Sequence, residues 1–342
     1  GVELDPATAS VEITGDAQVR HDLRVRAAEG VPTDTYRLRL RATSGSLTPE
    51  AGLTLTVTGA GTTWTRQRIP ATPYGVTYGD GLFVAVGDYR TILTSRDGVS
   101  WTTQLLETNA TPYGVTYGDG RFVAVGDRGT ILTSSDGVNW TEGSLGTYAG
   151  LYGVTYGDGL FVAVGENGTI FTSLDGVSWT RRSLGTYATL YGVTYGDGRF
   201  VAVGGDGTVL TSLDGVNWTE GSSETYAWLY GVTYGDGLFV AVGDGGTILT
   251  SRDGVSWTRQ SSGTDTSLRG VTHGDGLFVA VGYTRGVVFT SLNAVTYNNI
   301  LTSPDGVSWT AQPLETDDQL YGVTHGDGRF VAVGRNIILT SP

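Results

Sequence analysis

The chain has 342 residues and a formal net charge of -13. It has no Cys, Met or Lys, so all 21 basic residues are Arg. This excludes disulfides, thiolate metal sites, thiol nucleophiles and lysine Schiff bases. An acidic chain lacks the basic face that nucleic acid or anionic lipid requires, and no apolar run approaches the roughly 18 residues of a membrane helix. The expectation is therefore no nucleic acid, no membrane insertion, no metal and no cofactor. A chain without Met that starts at Gly1 reads as one that has lost a leader, or as a piece of a larger protein. With few cations and many Thr, Gly and Asn residues, the composition predicts an extracellular or cell-surface setting.

Residues 1–60 differ in composition from the rest. Segments 11–14, 19–27, 35–42 and 53–57 alternate apolar and polar residues as strands do, with Pro32-Thr33-Asp34 as a break. The stretch from Asp34 through Gly45, followed by Leu53-Thr-Leu-Thr-Val, resembles the closing strands of bacterial Ig-like domains. About half of such a domain is present. Four strands bury little core by themselves. The segment is therefore a truncated sandwich, or packs on its neighbour, or receives strands from a partner by β-addition, which would allow self-association through residues 1–60.

From residue 61 onward a repeat dominates. Its phrase begins at Tyr74, Tyr113, Tyr152, Tyr191, Tyr230, Arg269 and Tyr321, first at intervals of 39 residues and last at 52. One unit predicts four strands, 153–156, 160–165, 169–173 and 177–180, rich in Val, Ile, Phe, Tyr and Thr. Gly157-Asp158-Gly159, Glu166-Asn167-Gly168 and Leu174-Asp175-Gly176 stand between them as turns that tolerate positive φ. Four short antiparallel strands per roughly 40 residues make a propeller blade.

Tryptophan supplies the blade count. Trp101, Trp140, Trp179, Trp218, Trp257 and Trp309 end the third turn of six units. The seventh unit stops at Pro342, and its missing outer strand is read at the other end, around Trp64. The expectation is an all-β, seven-bladed propeller over 61–342, with 61–73 completing the last blade and residues near 62–66 lying beside 336–341. Such closure removes free sheet edges. In the long interval, residues 286–297 repeat 168–179 with Asp, Gly and Trp replaced by Asn293, Ala294 and Tyr297, which predicts a protruding hairpin on blade six.

The recurring Ser-x-Asp-Gly-x-x-Trp, as at Ser173, Asp175, Gly176 and Trp179, resembles the Asp-box of sialidase-like and related secreted bacterial propellers. The resemblance covers 61–342, with Gly directly after Asp as a departure from the usual spacing. It implies that Asp97, Asp136, Asp175, Asp214, Asp253 and Asp305 cap their own turns, while Trp64 and the six other tryptophans pack between blades. A binding role for these turns is the alternative. The Asp80, Asp119, Asp158, Asp197, Asp236, Asp275 and Asp327 series sits in Gly-Asp-Gly turns. Each offers one carboxylate, which favours hairpin chemistry over a calcium ring.

Differences among the units point to the contact face. The turns after the second strand vary, and so do the connections between units; in a propeller these two sets share one face, and loops on a rigid frame carry recognition. The candidate binding residues are Tyr89, Arg90, Arg128, Tyr148, Tyr187, Tyr226, Trp228, Tyr283 and Arg285. Trp228 is the one Trp outside the seven turn positions, and reads equally as a cap on a blade junction. Asn109, Asn139, Asn167 and Asn217 head Asn-x-Thr sequons.

The sialidase resemblance implies an arginine cluster, a Tyr nucleophile and an acid partner. Arg269 stands alone where the other six units have Tyr, and His21, His273 and His325 do not suggest a Ser-His-Asp site. The expectation is a protein without catalytic activity: an adhesive or structural surface module, or a subunit of a surface filament, with a protein or cell-surface partner. A lectin-like module binding glycan between blades is the second reading. An assembly factor is the third, since photosystem-associated propellers resemble this repeat as well.

Overall fold

Residues 2–4, 35–40, 52–56, 64–107, 110–182, 186–283, 297–314 and 318–341 are described by a computed structural model. The chain divides into two compact units, 1–63 and 64–342. In the first, Val2–Leu4, Thr35–Leu40 and Gly52–Thr56 form an antiparallel three-stranded sheet in chain order. The strands expected at 11–14 and 19–27 lie outside the described residues, as does the hairpin expected at 286–297 apart from its last residue.

The second unit is seven antiparallel four-stranded sheets. The third blade shows how the repeat makes one. Leu151–Gly157, Leu160–Gly165, Ile170–Ser173 and Thr180–Arg182 pair in chain order from the inside outward. Phe161, Val162, Ala163 and Val164 are fully buried because both faces of the second strand meet neighbouring blades. A strand covered on both faces reads as a continuous apolar run rather than an alternation. The outer strand has a solvated side, and Thr180 and Arg181 are exposed.

The inner hairpin turns through Asp158 (φ 48) and Gly159 (φ 73), and every blade repeats this geometry. Two successive left-handed residues match the twist of the strands they join. The turn after the second strand takes a different form. It is a short 3₁₀ turn, Glu166–Gly168, with Asn167 at φ 53. The fourth strand also starts later than expected, at Thr180. Val177 and Ser178 donate their backbone N–H groups to Asp175 Oδ1 at 2.8 and 2.7 Å, so they belong to the turn.

Closure of the ring comes from Thr65–Arg68, which pairs antiparallel with Ile337–Ser341; Arg68 faces Ile337 and Thr65 faces Thr340. The pairing segment lies slightly later than the expected 62–66, again because Trp64 ends the turn. Arg66 Nη2 donates to Asp318 Oδ1 at 2.7 Å, and Asp318 is almost wholly buried. Thr340 Oγ1 donates to the carbonyl of Gly98 at 2.5 Å, joining blade seven to blade one. The apolar core is correspondingly divided among the interfaces. One cluster joins Val331, Val333 and Ile338 of blade seven to Phe83, Ala85 and Leu93 of blade one, with Trp101 against it. Among the described residues no helix is long and apolar enough to cross a membrane.

Candidate functional site

The third turn of each unit builds one face of the ring. Asp175 Oδ1 accepts from the Ser173 hydroxyl at 2.9 Å and from two backbone N–H groups, while Trp179 Nε1 donates to the Gly176 carbonyl at 2.9 Å. The pattern recurs at Asp97, Asp136, Asp214, Asp253 and Asp305. Backbone donors favour the carboxylate and hold all six below the usual aspartate value of 3.8, Asp305 at about 2. A depressed folded-state value stabilises the fold above 3.8, and that contribution is lost as pH falls through the folded value. Resistance to urea should therefore fall as pH drops below about 4. Asp175→Asn should be less stable at pH 7 and show a smaller acid loss; equal pH profiles for the two chains would refute the assignment.

The opposite face carries the variable loops. In blades one to three, hydrogen bonds tie the second-strand turn to the connection entering its blade. Thr72 N–H donates to Asp88 Oδ1 and Thr111 N–H to Asp127 Oδ1, both at 2.8 Å, and Gly150 N–H to Glu166 Oε2 at 3.1 Å. These carboxylates therefore shape the connections as well as charging the face.

At the centre of this face the inner strands bring their first aromatic residues together. Tyr74, Tyr113, Tyr152, Tyr191 and Tyr230 follow one another, and Tyr321 meets Tyr74, with neighbouring ring centroids 5.2–5.7 Å apart. Arg269 occupies the seventh place. Its guanidinium carbon lies 3.6 Å from the Tyr230 centroid and 5.0 Å from that of Tyr283. Tyr283 accepts from Arg269 Nη2 at 2.8 Å and meets Tyr321 edge-on at 5.7 Å. Aromatic and cationic groups thus line the whole mouth.

Phenols and acids alternate just above it. Tyr152 donates to Glu166 Oε1 and Tyr230 to Asp244 Oδ2, both at 2.9 Å; Ser267 also donates to Asp244. Burial pushes the phenols of Tyr74, Tyr113, Tyr152, Tyr191 and Tyr321 up. Carboxylates add to the rise: Asp88 at Tyr74, Asp127 and Glu166 at Tyr113, Glu166 at Tyr152. Arg269 opposes it at Tyr191, and Arg335 and Arg269 do so at Tyr321. Acidic neighbours therefore accompany the phenols of blades one to three, while arginine offsets the rise at blades four and seven.

Of the residues singled out by sequence, Trp228 lies on the ring itself. It is 46% exposed and stacks on Tyr191 at 5.9 Å and 26°. Tyr148, Tyr187 and Tyr226 are 93, 88 and 91% exposed. Each sits inside a turn closed by a Thr hydroxyl one residue earlier, which accepts from Ala149, Ala188 or Ala227 N–H at 3.1–3.2 Å. Tyr89 and Arg90 both adopt left-handed backbone, φ 49 and 64, and Arg128 does at φ 53. Arg90 holds the place that Gly129, Gly168, Gly207 and Gly246 hold in other blades, so blade one keeps local strain there. Tyr283 belongs to the central ring, and Arg285 lies outside the described residues.

Several residues of the mouth were not picked as binding candidates. Tyr74 and its equivalents read as repeat markers, Arg269 as an isolated departure, and Asp88, Asp127, Glu166 and Asp244 as turn residues. The usable signal was a Tyr followed fourteen residues later by an acid in four of the seven units, a pattern that only the ring makes convergent. At the far end of the inner strands, His273 and His325 replace Tyr. Each packs on its own Phe and pairs across the blade junction, with Asp236 at 3.0 Å and Asp275 at 3.1 Å.

The turn face also has grooves between blades. One of about 680 Å³ runs between blades five and six beside Thr250, Arg252, Thr258, Gln260 and Asp305. A smaller one, about 240 Å³, lies on blade three beside Thr172, Asp175, Thr180 and Arg182. Where the second strand starts with Arg instead of Leu, that side chain lies over the next turn, as Arg199 Nη1 does in donating to the Asp253 carbonyl at 2.6 Å.

No protein-family model matches the chain, and no curated protein sequence does. Solved structures do. A catalytically inactive variant of virginiamycin B lyase from Staphylococcus aureus, with quinupristin, is 16% identical at a TM-score of 0.70, covering 82% of this chain and 99% of its own. YCF48 bound to D1 peptide is 16% identical at 0.63, covering 81% and 94%. The WD40 β-propeller domain of Doa1 is 12% identical at 0.62, covering 81% and 94%. At these identities the shared property is the propeller fold. The expectation of a chain without catalytic activity is corrected by the first comparison. The same architecture serves as a lyase, so the lack of a sialidase-like triad does not exclude catalysis.

Proposed function

We propose that this protein is a recognition module of the cell exterior whose loop face binds a protein partner. The observation that carries this reading is the aromatic arc of Tyr148, Tyr187, Tyr226 and Trp228, displayed on a frame whose loops are fixed by hydrogen bonds. Tyr and Trp give large contact area at small entropic cost, and they dominate protein-binding hot spots. Contiguous exposed apolar surface on a folded protein marks contact sites. YCF48, a propeller of the same fold, holds a peptide. The Lys-free, Cys-free, Thr- and Gly-rich composition supports the exterior setting. The Asp-box identity of the turns and self-association through residues 1–60 belong to the same reading.

Peptides selected from a random displayed library against the full chain test it. They are expected to lose at least tenfold in affinity on Trp228→Ala and to be unaffected by Arg252→Ala on the other face. Selected peptides indifferent to Trp228→Ala and to Tyr187→Ala would overturn the loop-face assignment. A second reading, glycan binding, is favoured by the hydroxyl-rich grooves on blades three and five. Binding to a glycan array that Arg252→Ala abolishes would establish it.

A further inference from the structure

We infer that the mouth of the central channel on the loop face takes a cationic side chain, the guanidinium or ammonium of an Arg or Lys in the partner polypeptide. The inference rests on the loop-face reading and adds what sits at its centre. Three observations converge. The mouth is walled by six tyrosines in an almost continuous ring. An aromatic face attracts a cation through its quadrupole, most strongly where water is displaced. Asp88, Asp127, Glu166 and Asp244 neighbour those rings, and Glu166 and Asp244 accept directly from ring phenols. A phenol donating to a carboxylate carries more negative charge on its ring, which strengthens the attraction.

The third observation comes from the chain itself. Arg269 already places a guanidinium 3.6 Å from the face of Tyr230 and hydrogen-bonds Tyr283. The mouth is thus chemically competent to hold that group, and one of its seven places does so. The tyrosines of blades one to three have Asp88, Asp127 and Glu166 as their charged neighbours, whereas Arg269 acts on Tyr191 and Tyr321; Arg90 and Arg128 occupy the same turns as Asp88 and Asp127. The charge of -13 favours approach of a basic segment from a distance. The cation enters beside Tyr113 and Tyr152, opposite Arg269, where repulsion from the resident guanidinium is smallest.

Calorimetric titration of the full chain with N-acetyl-arginine amide, and with its citrulline counterpart, tests this at low salt. Saturable binding is expected for the arginine compound, at least tenfold tighter than for citrulline, and displaced by tetramethylammonium chloride more than by equal sodium chloride. Arg269→Tyr installs the residue of the other six blades and should tighten binding several-fold. Asp127→Asn combined with Glu166→Gln should weaken it at least tenfold, with thermal melts confirming that both variants fold. Equal binding of the two compounds, no binding of either, or an affinity unmoved by Arg269→Tyr would overturn the inference. Those results would leave the Trp228→Ala outcome untouched, so failure here and failure of the loop-face reading are separable.

Discussion

A chain lacking residues 1–69 is expected to lose the cooperative unfolding of the propeller altogether. The closing segment contributes one strand of twenty-eight in the seven four-stranded sheets, yet the loss is not local. Without it, Ile337–Ser341 becomes an open edge, and its buried Ile338 and Leu339 lose their cover. Asp318 loses Arg66 and Arg68, the nearer at 2.7 Å. Removing the ion-pair partners of a buried carboxylate costs up to about 3–5 kcal/mol, and the half-exposed arginines place this loss toward the low end. The backbone bond from Ile69 N–H to the Asn336 carbonyl goes as well. Together these losses rival the roughly 5–15 kcal/mol that holds a domain folded, and an unpaired apolar edge recruits other chains. Circular dichroism melts and gel filtration should show a broad transition and aggregates. Appending a turn of Asp-Gly-Val-Ser and residues 64–69 after Pro342 should restore a sharp melt. An unchanged melt for the truncated chain would show that the ring closes without this strand.

Gly165→Ala is expected to destabilise the propeller by about 3 kcal/mol, at the upper end of what overpacking costs. Gly165 ends the second strand in extended backbone, where any residue is conformationally acceptable. The obstacle is steric: an added Cβ would overlap the Gly150 carbonyl and meet the Leu151 Cα, backbone that cannot rotate aside. The inner strand bulges at this point, with its register shifting between Leu151 and Gly153. A fall in Tm of roughly 6–10 °C follows for a unit of this size. Gly159→Ala is the contrast. Nothing lies within 4 Å of its Cβ position, but φ is +73, so only the left-handed strain of roughly 1–2 kcal/mol applies. If the two variants melt together, close approach of the backbone is not what requires glycine at 165.

Local chemistry was legible in the chain because each unit solves the same local problem seven times. Gly-Asp-Gly announced left-handed pairs, and the angles at Asp158 and Gly159 agree. The Ser-x-Asp-Gly-x-x-Trp turns announced self-capping, and Asp175 accepts as expected. Strand starts were less legible. Val177 and Ser178 have strand-like composition, yet their N–H groups are committed to Asp175, and a short-range hydrogen bond to a carboxylate outcompeted the ladder. Arg90 was visible as a departure from Gly, whereas its strain required the backbone.

The site depended on closure. Tyr74 and Tyr321 stand near opposite ends of the repeat, and their rings lie 5.5 Å apart because the first and last blades meet. Trp228 was singled out as unusual, but its stacking on Tyr191 follows from the angle between two blades. Arg269 reads as an odd residue in a list of tyrosines until the inner strands converge and place it over Tyr230. By itself, then, the amino-acid sequence determined the strands, the turns, the blade number and the end at which the ring is sealed, because these follow from periodicity and neighbouring residues. Tertiary structure alone decided which side chains share the channel mouth and how charge is distributed around it. Those depend on distances between residues that only the closed ring brings together.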